Sequence, residues 1–444
     1  MKENTFYRGL LNIALPVTLQ SLLQSSFSVI DQIMIGQLGS DSIAGIGLAG
    51  KFASIYSVVL GAIAAAAGIM IAQYIGQKNR KDLNKSFYVN FIYSLLLAVL
   101  FMGVCLLFSG QVMQIYTRDR ETGSLAAGYL AVYCLSFLPM AVTSIASVML
   151  RCLNAAVYPL AASVLSVILN TALNYMLIFG RFGFPAMGMR GAAAASVISQ
   201  VIAAVFTVLF LIRQLRRQKI SLPFDCRLDG EKKKLYLGIL APILVCEFLW
   251  SLGENMYGII YGNMGTEACA AMTMTGSIQA LMIGALSGLS QAAGIMVGKS
   301  LGEKEYDRAY ADSKRLMGFG LIGSLVLSFL LIVLGRYYVE IYHVSKDVKE
   351  MTYQILVVFA IVSPIKVQNM ILGGGIIRSG GKTKYMMWID FIGTWIFGVP
   401  LGFLSAFAWK LPIAAVYFIL SMEETVRLGI SAVLFRSRRW MESL

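Results

Sequence analysis

Residues 11 to 75 recur 226 positions later, in register and without a gap. Pro16 returns as Pro242, and Gln37-Leu38-Gly39-Ser40-Asp41 becomes Asn263-Met264-Gly265-Thr266-Glu267. Ala66-Ala67-Gly68-Ile69-Met70 reappears letter for letter as Ala292-Ala293-Gly294-Ile295-Met296, and Gly76-Gln77-Lys78 as Gly302-Glu303-Lys304. Both copies lie in long apolar sequence. A membrane chain built from two copies of one half places a site between them that can open to either side in turn, which points to a transporter.

The chain has 444 residues, of which 58% are hydrophobic and 14% charged. A soluble chain carries nearer a quarter charged residues. Apolar stretches long enough to cross a hydrocarbon core of roughly 30 Å repeat along the whole length. They predict twelve spans, at 11–37, 45–75, 87–109, 123–150, 158–180, 191–215, 236–262, 268–298, 316–342, 351–376, 385–408 and 412–435. The expected class is an all-α integral membrane protein. Its longest polar connection follows the sixth span, so we expect an N-lobe over 1–217, a linker over 218–234 and a C-lobe over 235–444. Six helices per half is an even number, so both halves start on the same side and the repeats are parallel.

The net charge of +14 is an orientation signal. With the N-terminus inside, 26 of the 37 Lys and Arg fall in inner segments and 9 in outer ones; Lys366 and Arg427 lie within spans. The positive-inside bias therefore predicts both termini in the cytoplasm, and no nucleic-acid partner follows from the charge. Six scattered cysteines offer no CxxC pair, and the lone His343 cannot form a metal cluster. Gly298-Lys299-Ser300 resembles the end of a phosphate loop, but the glycine required five residues earlier is Ala293. No HExxH or GxSxG is present. The expectation is no enzyme and no cofactor.

Each ionisable group inside a span costs about 2.5–3.5 kcal/mol on insertion scales and so needs a reason. Asp31 stands in the first span, with Gln20 and Gln24 on roughly the same side. Glu247 and Glu254 share one face of the seventh. Lys366 and Asn369 lie in the tenth, Asp390 in the eleventh, and Glu423 and Glu424 in the twelfth. The repeat maps Asp31 onto Tyr257 and Ser21 onto Glu247, so the two acids are not copies of one structural feature. A buried carboxylate can load and release a proton, or hold Na⁺ with neutral oxygens. Asn170 and Asn174, one turn apart, offer two amides to such a site or to a neighbouring helix. Tyr257, Met256 and Tyr56 are candidates for apolar cavity walls.

Ala14-Leu15-Pro16, Val29-Ile30-Asp31, the run Asn170 to Gly180, Gly183 to Gly188, Pro242 with Glu247, and Ile377-Arg378-Ser379-Gly380-Gly381 together resemble the multidrug and toxic compound extrusion (MATE) family. The resemblance covers nearly the whole chain. It implies two six-helix lobes around a V-shaped central cavity and drug export driven by inward Na⁺ or H⁺. It further implies a coupling-ion site at Asp31, Asn170, Asn174 and Ser196, with no metal beyond Na⁺ there. Glu247, Glu254, Tyr257, Lys366, Asn369 and Asp390 become candidates for substrate or a second cation. The chain departs from some branches of the family by Asn174 in place of an acid, by Ile365-Lys366 where another branch has Asp, and by Lys382 after the two glycines.

The expected function is a secondary antiporter in the bacterial inner membrane, exporting amphipathic cationic compounds and needing no protein partner beyond the bilayer. The alternative is a flippase for lipid-linked oligosaccharide precursors, which would want a strongly cationic cavity.

Overall fold

The computed structural model describes residues 2–38, 40–117, 119–225, 230–341 and 344–444, with side chains except at 2–5, 25–33, 35–36 and 40–41. Among the described residues there is no strand. Twelve helical elements follow one another: α1 Lys2–Gly36, α2 Ser40–Gly76, α3 Arg80–Tyr116, α4 Arg120–Cys152, α5 Val157–Phe179 and α6 Gly188–Arg217 make the first repeat. The second holds α7 Gly230–Asn263, α8 Thr266–Gly302, α9 Tyr306–Glu340, α10 Lys346–Ile377, α11 Thr383–Ala408 and α12 Ile413–Ser437. Among the described residues ten of them, α2 to α11, are long and apolar enough to cross a membrane. The last, α12, carries Glu423, Glu424 and Arg427 near its middle. The fold is an all-α membrane protein of twelve helices in two parallel six-helix repeats.

Helices are the form that hydrocarbon allows here, because each backbone N–H finds its carbonyl within the same segment. The repeat extends to burial. The most apolar stretch of α3 is 17% buried and that of α9, its counterpart, 22%. Leu100, Leu107, Phe329 and Val333 stand exposed on these two, as lipid-facing residues should. The corresponding stretch of α10 is 56% buried, which makes it an inner helix.

Irregular turns interrupt three elements. A 3-10 turn at Cys134–Ser136 breaks α4 just before Pro139. A π-helical turn, Met370–Ile377, ends α10, and two more, Ile392–Gly398 and Leu404–Ala408, lie within α11. Such turns add a residue to a helical turn and recur at functional sites.

The chain forms two compact units. One comprises Leu19–Ile71 and Asn79–Asp229. Its core stacks Tyr56 on Phe137, ring centroids 4.2 Å apart, while the Tyr56 hydroxyl donates to the Phe137 carbonyl at 2.6 Å. Tyr56 is fully buried there, so it is a packing residue and not a cavity wall. Asn84 and Tyr88 of α3 donate to the carbonyls of Pro223 and Leu222, which ties down the start of the long connection.

The other unit comprises Met1–Thr18, Ala72–Lys78 and Gly230–Leu444. Within it the ends of α2 and α8 touch backbone to backbone. A Cβ on Gly76 would overlap the Lys299 carbonyl, and one on Gly302 would overlap that of Gln73. The two contacts are one contact made twice, since the 226-residue offset turns Gly76 into Gly302 and Gln73 into Lys299. Gln73 also donates to the Ser379 carbonyl at 2.6 Å and accepts from the Leu444 amide at 2.7 Å.

Gly76→Ala and Gly302→Ala should each lower stability by about 1–3 kcal/mol, the usual cost of overpacking. Gly238→Ala, where a Cβ meets nothing within 4 Å, should instead be neutral or stabilise by up to about 1 kcal/mol. Thermal unfolding of the three purified variants in one detergent checks this; equal shifts would remove the contact from the account.

Candidate functional site

Two polar constellations lie among the described helices, one in each repeat. In the first, the Asn174 side-chain amide donates to the Asn170 side-chain oxygen Oδ1 at 2.8 Å, and the Asn170 Nδ2 donates to Ser196 at 3.2 Å and Ser199 at 3.3 Å. Both asparagines are buried. The structure therefore brings three of the four proposed coupling-ion residues together as one strip between α5 and α6. The side chain of the fourth, Asp31, lies outside the described residues, although its backbone is helical within α1. Gln20, on the same helix, donates to Ser163 at 2.7 Å and accepts from Arg151 at 2.9 Å.

That arginine contact has a counterpart. In the second repeat Arg378 reaches the Cys246 sulfur at 3.1 Å and the Glu247 carboxylate at 3.2 Å. Cys246 is the 226-residue equivalent of Gln20. Each repeat thus pins its first helix to the end of its fourth by an arginine. The first repeat offers a neutral amide to it, the second a carboxylate.

The second constellation is a network of ions around Arg427. Its guanidinium lies 3.5 Å from Glu423, 3.9 Å from Glu424 and 3.8 Å from Asp390, and it donates to the Thr394 hydroxyl. Glu423 accepts a hydrogen bond from Tyr257 on α7. Glu424 accepts one from Asn369 on α10 at 2.8 Å. Asp390 is 4.0 Å from Arg378 and accepts from the Cys246 thiol at 2.7 Å. The bend in α11 makes the room: a Cβ on Gly398, the last residue of its first π turn, would overlap both the Glu423 carboxylate and the Tyr257 hydroxyl. Among the described residues no three His, Cys, Asp or Glu side chains are placed to hold a metal ion.

Two cavities flank this network, both inside the unit that contains α7 to α12. One, of about 330 Å³, is lined by Glu254, Tyr257, Tyr261, Lys366, Glu423 and Glu424 among others. The other, of about 290 Å³, is lined by Trp250, Lys366, Asn369, Asp390, Glu424 and Arg427 among others. Of the second-repeat candidates, Glu254, Tyr257 and Lys366 face the first cavity, and Lys366, Asn369 and Asp390 the second. Glu247 lines neither; it pairs with Arg378.

Glu423, Glu424 and Arg427 stood outside the site expected from sequence. The signal available was their spacing, since residues three and four apart on a helix are neighbours. Elsewhere the same pattern marks a wet helix face. Here all three side chains are about nine-tenths buried.

The MatE family model matches residues 16–176 and 242–404, two stretches that begin at the same 226-residue offset. The chain is 22% identical to the uncharacterized transporter YisQ of Bacillus subtilis, over 99% of this chain and 96% of that protein. It is 24% identical to the probable multidrug resistance protein NorM of Thermotoga maritima, over 98% and 93%. A multidrug resistance MATE transporter solved in an outward-facing conformation superposes with a TM-score of 0.88 at 18% identity, covering 97% of this chain and 95% of its own. A variant of the Vibrio cholerae MATE transporter VcmN gives 0.88 at 16% identity, covering 99% of both chains. At these identities the structural likeness is one of fold.

Removing Arg427 should leave Glu423 and Glu424 without their ion-pair partner, at a cost of about 3–5 kcal/mol for a broken buried pair. Arg427→Met should therefore unfold at markedly lower temperature, and adding Glu423→Gln and Glu424→Gln should recover most of the loss. A melting temperature for Arg427→Met within error of the parent would show that the guanidinium holds nothing together.

Proposed function

Because the chain belongs to the MatE family of efflux transporters, we propose that it exports amphipathic, cationic compounds in exchange for Na⁺ or H⁺. The observation that carries this reading is the 330 Å³ cavity, whose walls join three glutamates to Tyr257, Tyr261 and Tyr417. Carboxylates attract a cation and tyrosine rings add an adaptable apolar surface with a cation-attracting face. Glu254, Tyr257, Lys366, Asn369 and Asp390 would form the substrate or second-cation region of the second repeat, with Glu247 held beside it by Arg378. Asp31, Asn170, Asn174 and Ser196 would bind the coupling ion in the first.

Coupling requires ion and drug to prefer opposite conformations, since a ligand that binds both states equally shifts nothing. In this reading residues 1–217 and 235–444 act as the two lobes, joined through 218–234. Both termini lie in the cytoplasm of a bacterial cell, and no protein partner is needed. The lipid-linked oligosaccharide flippase is not favoured, because the 330 Å³ cavity sets three glutamates against the single Lys366.

Efflux of a fluorescent cationic dye from inverted membrane vesicles tests the proposal, with a Na⁺ gradient and a pH gradient imposed separately. One gradient should drive the dye, and Asp31→Asn should abolish the movement at unchanged expression. Normal efflux by Asp31→Asn would remove Asp31 from the coupling site, and no movement under either gradient would sink the antiporter.

A further inference from the structure

The 330 Å³ cavity carries acids on two of its walls. Glu254, on α7, is exposed and makes no hydrogen bond or ion pair among the described residues. Glu423 and Glu424, consecutive on α12, form the other acidic wall. Two tyrosines of the lining connect these walls. Tyr261 is within electrostatic reach of Glu254 and Glu423, and Tyr417 of Glu254 and Glu424.

Fully ionised, the lining sets three carboxylates against one ammonium, that of Lys366, and two negative charges are left over. Widening the boundary leaves that surplus unchanged. Arg378 and Arg427 are shared among Glu247, Asp390, Glu423 and Glu424. With Glu254 and Lys366 included, five carboxylates face three cations, and the surplus is again two. Unbalanced charge in low-dielectric surroundings is costly, so the occupant that best completes this cavity carries two positive charges. Among the described residues no three His, Cys, Asp or Glu side chains are placed to hold a metal ion. The two charges therefore belong at separate places on one organic molecule, with an apolar body to lie against the tyrosine rings.

We propose that the second-repeat cavity selects organic dications, with their charges separated by an aromatic body, over monocations of the same size. Glu254 is the specificity-determining residue, because it is the acid no protein group has claimed. This deepens the exporter reading and rests on it only for the claim that the bound compound is transported.

The test is binding to the purified full-length protein at about pH 8, above the ordinary carboxylate range. The probes are methyl viologen and N-methyl-4-phenylpyridinium, permanent ions of nearly equal size bearing two charges and one. The parent protein should bind the dication about tenfold more tightly, a difference of about 1.4 kcal/mol. Glu254→Gln lowers the surplus to one and should cancel or invert that ratio. Lys366→Met raises the surplus to three and should keep or widen it.

Equal or tighter binding of the monocation by the parent overturns the proposal, as does an unchanged ratio in Glu254→Gln. If Glu254→Gln fails to fold, Lys366→Met decides: a ratio kept or widened supports the proposal, and a narrowed one overturns it. Gradient-driven dye efflux, measured on the same protein in vesicles, separates the two claims. Efflux without dication preference removes this inference alone, and preference without efflux removes the exporter alone.

Discussion

Three carboxylates from two helices converge on one guanidinium in a region that water does not freely solvate. Arg427 has to be surrounded, and Glu423, Glu424 and Asp390 surround it. From that requirement much of the second repeat follows. Tyr257 brings in α7 through Glu423, and Asn369 brings in α10 through Glu424. The π turn in α11, closed by Gly398, gives the bulky groups a place. Buried ion pairs of this kind are poor sources of net stability, because desolvation consumes most of their attraction. What the network supplies is position. It fixes where acidic groups face the cavities.

The repeats share a scaffold and differ in what they mount on it. Arg151 holds an amide, Gln20, where Arg378 holds a thiol and a carboxylate. The first repeat has a neutral amide and hydroxyl strip at Asn170, Asn174 and Ser196; the second concentrates its charges.

The fold was legible in the sequence because its signals are linear. Length and hydropathy mark the helices, the 226-residue offset marks the repeat, and the one-turn spacing of Asn170 and Asn174 puts both on one face. The site was legible only in part. Glu423, Glu424 and Arg427 have the spacing of an ordinary solvated helix face, and only packing against α7, α10 and α11 makes them interior. Tyr56 shows the converse: an aromatic suited to a binding wall is consumed by stacking on Phe137. The π turns leave no periodic trace, since each is one added residue accommodated by neighbouring helices.

The glycine contact between α2 and α8 is two-fold in its backbone, with each helix presenting a glycine to the other's carbonyl. A contact of that form is isologous: two identical chains can make it with one patch of sequence each. In a homodimer every substitution there would act twice. In a single chain the two sides can change independently, and they already have. Gln73 binds the chain's last residues through its amide, whereas its equivalent, Lys299, cannot accept a hydrogen bond through its ammonium. One polypeptide keeps the symmetric backbone contact while leaving the side chains around it free to differ.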